Sequence, residues 1–191
     1  MPITTIDPTA ALILVDLQKG ILGAPTTPVP IDTVLANARD LAAAFRRSGH
    51  QVILVNVAGG APGRTDEHQK RAASGAPTAA RPEGWMELAD EIDAQPSDHR
   101  ITKTTWGAFS GTSLDEHLKE QGVTQVILGG VATSVGVEST ARNAHELGYH
   151  AVLATDAMSD RDSEAHQNST SRIFPRLGET ATTAEILNLL V

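Results

Sequence analysis

The chain has 191 residues and a formal charge of −8, from 23 acidic and 15 basic side chains, and it contains no cysteine. The acidic balance argues against a nucleic acid or an anionic membrane as partner, because phosphate binding requires clustered lysine and arginine. The lack of cysteine excludes a disulfide scaffold, a thiolate metal site and a cysteine nucleophile.

The first half of the chain alternates strand-length apolar runs with amphipathic segments. Residues 11–15 form a continuous apolar run, which is typical of a strand buried on both faces. Apolar side chains recur every three or four positions over 32–48, which predicts a helix. A second buried strand is predicted over 52–55. Residues 58–82 lack a clear period, and we expect a long loop with about one helical turn, acting as a lid or specificity segment.

The second half continues this alternation. Helices are predicted over 85–92, 113–120, 134–147, 163–174 and from residue 184 onward. Strands are predicted over 100–103, 126–128, 149–153 and 180–182. Together the elements predict one α/β domain over residues 1–191, a three-layer α/β/α sandwich with a mainly parallel, Rossmann-like central sheet.

No apolar run reaches the ~20 residues that span a bilayer, and the first residues lack the features of a secretory signal peptide. We therefore expect a cytoplasmic protein without a membrane partner. Ligands of parallel sheets bind outside the carboxyl ends of the strands, so polar residues directly after strands are the candidates for a site.

Two ionisable residues occupy such positions. Asp16 follows the first strand, where partial desolvation raises the pKa of a carboxyl group and suits it to proton transfer, the alternative being a cap or loop carboxylate. Lys103 ends the third strand. A lone lysine there is usually a solvated surface group, but beside Asp16 its ammonium would stabilise negative charge on a substrate oxygen. Residues 129–136 add a glycine-containing turn into a helix, whose free N–H groups suit an anion.

Three segments in this order resemble the isochorismatase-like hydrolase family. They are Leu-Val-Asp-Leu-Gln at 14–18, the 103–109 segment, and Gly-Val-Ala-Thr-Ser-Val-Gly-Val-Glu-Ser-Thr-Ala-Arg at 130–142. The resemblance runs over about residues 8–190. It implies an α/β/α fold and a site made of aspartate, lysine and usually cysteine.

The resemblance also implies a mechanism, from which this chain departs. In amidase-type members the aspartate takes the cysteine proton, the thiolate attacks a carbonyl, and backbone that often contains a cis peptide forms the oxyanion hole. By similarity that backbone is Val131–Ala132, and the cysteine position is Gly136, so the covalent route is closed. Siderophore- and phenazine-type isochorismatases also carry glycine there, and they protonate a vinyl ether from the aspartate.

Two further departures concern the substrate and a metal. Val57-Ala58-Gly59 stands where those isochorismatases carry a substrate-binding glutamine, which argues against isochorismate itself. Asn56-Val57-Ala58 lacks the Asp-x-His metal motif of the nicotinamidase branch. The seven histidines are scattered without a metal-binding companion, so we expect neither metal nor cofactor.

Several neighbouring residues are predicted to bind substrate: Gln18, Trp106, Phe109, Val131, Ala132, Thr133 and Val135. Gln18 either orients Asp16 or contacts substrate, and the two aromatic residues either line a pocket or pack in the core. A nucleophilic role for the hydroxyl groups of 133, 134 or 139 is disfavoured, because no base is placed to activate them by sequence logic.

The leading hypothesis is a metal-independent hydrolase of a small molecule, with Asp16 as acid or base, Lys103 as electrostatic partner and residues 131–136 as an anion-binding wall. One alternative is a small-anion-binding protein that has lost its nucleophile. Another is an amidase that activates water directly. We also expect a homo-oligomer, either a dimer or a tetramer.

Overall fold

A computed structural model describes residues 3–60, 63–75 and 81–190. Within them, six parallel strands form one sheet in the order β3-β2-β1-β4-β5-β6. The strands are β1 (Ala10–Val15), β2 (Gln51–Val57), β3 (His99–Lys103), β4 (Gln125–Val131), β5 (His150–Ser159) and β6 (Gly178–Ala181). The strand order reverses between β1 and β4, so the crevice that such sheets use for ligands lies where these two strands end.

Helices connect the strands and cover the sheet. They are α1 (Lys19–Leu22), α2 (Ile31–Arg47), α3 (Asp66–Ala73), α4 (Leu114–Glu120), α5 (Glu138–Glu146), α6 (Ser163–Asn168), α7 (Phe174–Leu177) and α8 (Thr183–Leu189). A π-helical turn (Thr133–Val137) leads into α5, and another (Ser169–Ile173) joins α6 to α7. None of the helices in the described ranges is long and apolar enough to cross a membrane.

The core has two layers, one on each face of the sheet. Leu12 and Leu14 of β1 pack in a cluster with α2 and α8, whereas Ile13 and Val15 pack in a second cluster with α4, α5 and α7. This alternation follows from the period of two along a strand. Helices on both faces confirm the predicted α/β/α sandwich, and the sheet is entirely parallel within the described residues.

The segment predicted as a helix over 85–92 is not one. The structure has turns there and a single 3-10 turn at Asp90–Ile92, because the backbone groups of this segment bind the chain that follows β1 instead. Gly20 N donates to Trp85 O, and Ala89 N donates to Leu17 O, at 3.0 and 2.9 Å. We call residues 81–89 the strap.

The predicted loop over 58–82 was also partly wrong, because it contains α3, a helix of eight residues capped by Thr65. Residues 61–62 and 76–80 of that loop lie outside the described residues.

Strands β4 and β5 run further than their apolar runs predicted. A Cβ at Gly130 would collide with the Val15 carbonyl oxygen, so only glycine lets β4 continue beside β1. β5 was predicted to end at 153 but continues to Ser159 after a register shift against β4. Along this extension Asp156 caps α8, accepting from Thr183 N at 2.7 Å and Thr183 Oγ1 at 2.8 Å.

Candidate active site

Asp16 and Lys103 meet at the carboxyl edge of the sheet. Lys103 Nζ donates to Asp16 Oδ2 at 2.7 Å, and the Lys103 side chain is only 2% exposed and the Asp16 side chain only 9%. Lys103 Nζ also donates to the carbonyl oxygen of Thr105 at 3.2 Å. The arrangement is a buried ion pair in which one carboxylate oxygen is occupied and the ammonium group is fixed from two sides.

The local backbone and burial set the state of Asp16. Its N–H continues the sheet by donating to Val55 O at 2.8 Å, while its φ of 55° lies in the left-handed region that few residues other than glycine adopt. Burial raises the pKa of the carboxyl group to about 6, against the opposing attraction of Lys103. Oδ1 is buried without a hydrogen-bond partner among the described residues. Both protonation states are therefore accessible near neutral pH.

Gly136 lies against this carboxylate. A Cβ built at Gly136 would lie 3.2 Å from Asp16 Oδ2 and 3.0 Å from Val15 Cγ1. The side-chain position of residue 136 thus adjoins the acid, in the place where the resemblance puts a cysteine beside an aspartate.

The backbone that follows β4 contributes a free donor. Val15 pairs with Gly130, so the residues after Gly130 lie beside Asp16. The Val131–Ala132 peptide bond is cis. Ala132 is partly exposed, and its N–H finds no acceptor within the described parts of the chain. This N–H is available to a substrate oxygen.

At the helix start that was predicted to bind an anion, the carboxylate of Asp160 is already bound. Asp160 Oδ2 accepts from Ser134 N at 2.7 Å and from Ser134 Oγ at 2.8 Å. Val135 N donates to Ala132 O at 3.2 Å. The anion-binding wall predicted over 131–136 therefore offers fewer free N–H groups than expected, because the Asp160 carboxylate already accepts from Ser134 N and the Ala132 carbonyl oxygen from Val135 N.

Gln18 is fully buried and is not exposed to the pocket side of the sheet edge. It has no exposed surface, and its Nε2 donates to Val57 O and Trp85 O while its Oε1 accepts from Val57 N. Backbone carbonyl oxygens accept both amide hydrogens of Gln18. The structure therefore gives this side chain the role of connecting the end of β1 to β2 and the strap, and not of contacting substrate.

The two aromatic candidates separate. Phe109 is buried in the second core cluster, where its ring stacks on Tyr149 at 5.8 Å between centroids. Tyr149 precedes β5 at the opposite edge of the sheet, so core packing is the role the structure gives Phe109. Trp106 is 62% exposed, and its carbonyl oxygen lies 3.7 Å from the Cβ position at Gly136.

The remaining predicted wall residues differ in access. Val131 is buried against the first core cluster and Thr133 has no exposed surface, whereas Ala132 and Val135 are partly exposed. Thr133 Oγ1 lies 2.9 Å from His166 Nδ1, a contact that sequence reasoning missed.

Other residues at this edge were also missed. Arg81 of the strap stacks over the Trp85 ring at 4.2 Å and donates to the carbonyl oxygen of Ala58, whose own N–H donates to Lys103 O.

Asp160 follows β5 directly, so the strand-end rule would have selected it had β5 been predicted to its true end.

Comparisons with known proteins identify the family that this chain resembles. The chain matches the isochorismatase domain over residues 10–185. It is 41% identical over 182 residues to the isochorismatase family protein YecD of Escherichia coli O157:H7, covering 95% of this chain and 96% of that protein. It is 32% identical over 184 residues to the ureidoacrylate amidohydrolase RutB of Variovorax paradoxus, covering 84% and 72%. The solved structure of an isochorismatase family protein from Burkholderia thailandensis superposes with a TM-score of 0.87 at 37% identity, covering 97% of each chain.

Proposed function

The chain belongs to the isochorismatase family of hydrolases, and from this premise we propose that it hydrolyses a small molecule without a covalent enzyme intermediate. Asp16 transfers the proton, Lys103 holds the carboxylate and stabilises charge, and the Ala132 N–H binds an oxygen of the substrate. One observation carries the proposal: Asp16 Oδ2 lies 2.7 Å from Lys103 Nζ and 3.2 Å from the side-chain position of Gly136.

Two reactions suit a site with an acid but no nucleophile. In the first, protonated Asp16 delivers its proton to the carbon–carbon double bond of a vinyl ether. Water attacks the resulting cation and returns a proton to Asp16, and the adduct breaks its carbon–oxygen bond to release an alcohol and a carbonyl compound. In the second, ionised Asp16 takes a proton from water, which attacks an amide carbonyl while the Ala132 N–H stabilises the oxyanion. The carbon–nitrogen bond then breaks, and Asp16 gives the proton to the leaving nitrogen. The 32% identity to a protein described as a ureidoacrylate amidohydrolase supports including ureido compounds among the candidate substrates.

The test is a screen of vinyl ethers, ureido compounds, amides and esters, followed by Asp16→Asn. Asn cannot donate or accept the proton, so kcat/KM should fall by about 10²- to 10⁴-fold. The matched control is Asp98→Asn, which removes the carboxylate of another buried ion pair, with Arg46 at 2.7 Å. That variant should lower Tm and keep kcat/KM. Full activity of Asp16→Asn would refute the assigned role.

The pH profile of kcat/KM separates the two reactions. With a pKa of about 6 at Asp16, a base mechanism loses activity as pH falls through about 6, because the carboxylate becomes protonated. An acid mechanism loses activity as pH rises through the same value. A profile flat between pH 5 and 8 would contradict both.

A second candidate is a protein that binds a small anion without turnover. The glycine at 136 favours it, because glycine provides no nucleophilic side chain at that position. Calorimetry with the same compounds, followed by mass analysis of the recovered ligand, distinguishes the two. Unchanged ligand after tight binding would support the binding protein.

A further inference from the structure

The segment that follows β5 is hydrogen-bonded to the turn that carries Gly136. Asp160 accepts two hydrogen bonds from Ser134, and His166 Nδ1 lies 2.9 Å from Thr133 Oγ1. Asp160, His166 and Thr133 are all buried. The turn (Thr133–Val137) is thus held at two adjacent residues by side chains some 30 positions away in the chain.

Asp160 is itself fixed from several directions. Its Oδ1 accepts from Arg161 N at 2.7 Å and Asp162 N at 3.4 Å. Its backbone exchanges two hydrogen bonds with Thr27, at 2.7 and 3.1 Å. A carboxylate held in this way at a helix start forms charge-assisted hydrogen bonds, which are shorter and stronger than neutral ones.

The turn needs such support because its own hydrogen bonding is irregular. Val137 N donates to Ala132 O at 3.2 Å across five residues, as in a π-helix, and Val135 N donates to the same oxygen at 3.2 Å across three residues, as in a 3-10 turn. Gly136 within it has the widest conformational freedom of any residue. Local structure therefore defines the position of this turn weakly, and tertiary contacts define it strongly.

The position of the turn matters to the chemistry. The Cβ site at Gly136 is 3.2 Å from Asp16 Oδ2, and the free Ala132 N–H directly precedes the turn. A displacement of about 1 Å at such a site can cost on the order of 10²-fold in rate.

We propose that Asp160 and His166 form a clasp that positions the turn, and with it Gly136 and the Ala132 N–H, against Asp16. Neither side chain touches the reacting atoms, so both are positioning residues. The inference rests on the proposed function for its catalytic meaning, but the contact itself can be tested without any substrate.

The absence of native cysteine provides that test. Gly136→Cys introduces the only thiol of the chain at the turn, and its alkylation by iodoacetamide reports how often the turn opens. In this background, His166→Ala and Thr133→Val should each raise the alkylation rate on the order of tenfold, the effect of losing about one hydrogen bond from a local opening equilibrium. Asp160→Ala removes two hydrogen bonds to the turn and should raise the rate by at least as much. His166→Asn, which keeps a polar atom near the place of Nδ1, should restore the slow rate.

The matched control is Asp156→Ala. Asp156 binds the start of α8 with the same pair of hydrogen bonds, from a backbone N–H and a hydroxyl, and among the described residues it makes no hydrogen bond to the turn. This variant should lower Tm without raising the alkylation rate. Rates that rise equally in Asp156→Ala and Asp160→Ala, or in neither, would overturn the clasp. If Asp160→Ala does not fold, Thr133→Val decides alone, because it removes one hydrogen bond at nearly constant shape.

In the chain with native Gly136, the clasp variants should lower kcat while leaving KM within about twofold, since the Ala132 N–H that they displace binds the substrate oxygen most strongly when charge develops on it in the transition state. Unchanged kcat in Thr133→Val would refute the catalytic meaning of the clasp. If no tested compound is turned over by the native chain, the proposed function fails while the thiol comparison still decides the clasp.

Discussion

The Asp16 carboxyl group loses solvent to the surrounding sheet edge and gains a cation from Lys103, and these two effects act on its pKa in opposite directions. Desolvation is the larger, which is why the pKa lies at about 6 and not below the ordinary value of 3.8. An ion pair at 2.7 Å thus coexists with a carboxyl group that can still be protonated near neutral pH. This combination is what proton transfer requires.

Removal of Lys103 tests this balance. Lys103→Met leaves desolvation unopposed, so the pKa of Asp16 should rise above 6. The carbonyl-carbon chemical shift of the Asp16 side chain, followed against pH by NMR, measures it. Lys119→Met, which breaks the exposed pair with Asp115 on α4, should leave the titration of Asp16 at about 6. A lower pKa of Asp16 in Lys103→Met would show that the balance is wrongly assigned.

At the scale of elements, the backbone of the strap forms hydrogen bonds with α1 and with the end of β2 in place of those of a helix. Its Trp85 and Glu87 carbonyl oxygens accept from Gly20 N and Lys19 N, and Asn56 Nδ2 donates to Met86 O at 3.2 Å. Because Gln18 Nε2 also donates to Trp85 O, one side chain links β1, β2 and the strap. The strap therefore closes the carboxyl ends of β1 and β2.

We expect Gln18→Ala to lower the free energy of unfolding by about 2–4 kcal/mol, because it leaves the Val57 N–H buried and unpaired and removes two further hydrogen bonds. Urea denaturation followed by circular dichroism measures the loss. Gln69→Ala, on the exposed face of α3, should change the same quantity by no more than about 0.5 kcal/mol. Equal losses of unfolding free energy in the two variants would contradict the proposed role of Gln18 in linking β1, β2 and the strap.

For the whole molecule, histidines that lose solvent on folding make stability depend on pH. Burial lowers the pKa of His50, His99 and His166, and the charge of His117 adds to the effect at His99. The rings of His99 and His117 stack at 3.6 Å between centroids, with both Nε2 atoms buried and unpaired among the described residues. Asp16 acts in the opposite sense, because its pKa is raised on folding.

The sign of the histidine contribution follows from proton linkage. A lowered pKa in the folded state means that the unfolded chain binds protons first, so stability is complete above the ordinary histidine pKa of about 6.5 and is lost as pH falls through the folded value. His99→Gln should therefore reduce the loss of unfolding free energy between pH 7.5 and 5.5. Urea titrations at several pH values measure it, with exposed His150→Gln as a control that keeps the native slope. An unchanged slope in His99→Gln would contradict the contribution of this pair.

Much of the architecture was already determined by the sequence. Buried parallel strands are continuous apolar runs, and β1 and β2 were found within two residues of their ends for that reason. Parallel topology then brings all strand ends to one edge, so the meeting of Asp16 and Lys103, 87 positions apart, followed without any knowledge of side-chain contacts. The resemblance of the three ordered segments also predicted the family, which the domain match over residues 10–185 confirms.

Only the tertiary structure decided which groups are free to act. Gln18 and Phe109 look like pocket residues in sequence. In the structure, however, the Gln18 amide is hydrogen-bonded to backbone N–H and carbonyl groups, and the Phe109 ring stacks on Tyr149. The helix start of residues 133–137 looks open, yet Asp160 fills it. Local pattern specifies period and strand position, whereas hydrogen-bond partners 26 to 67 positions away are chosen by three-dimensional packing, which no short stretch of sequence encodes.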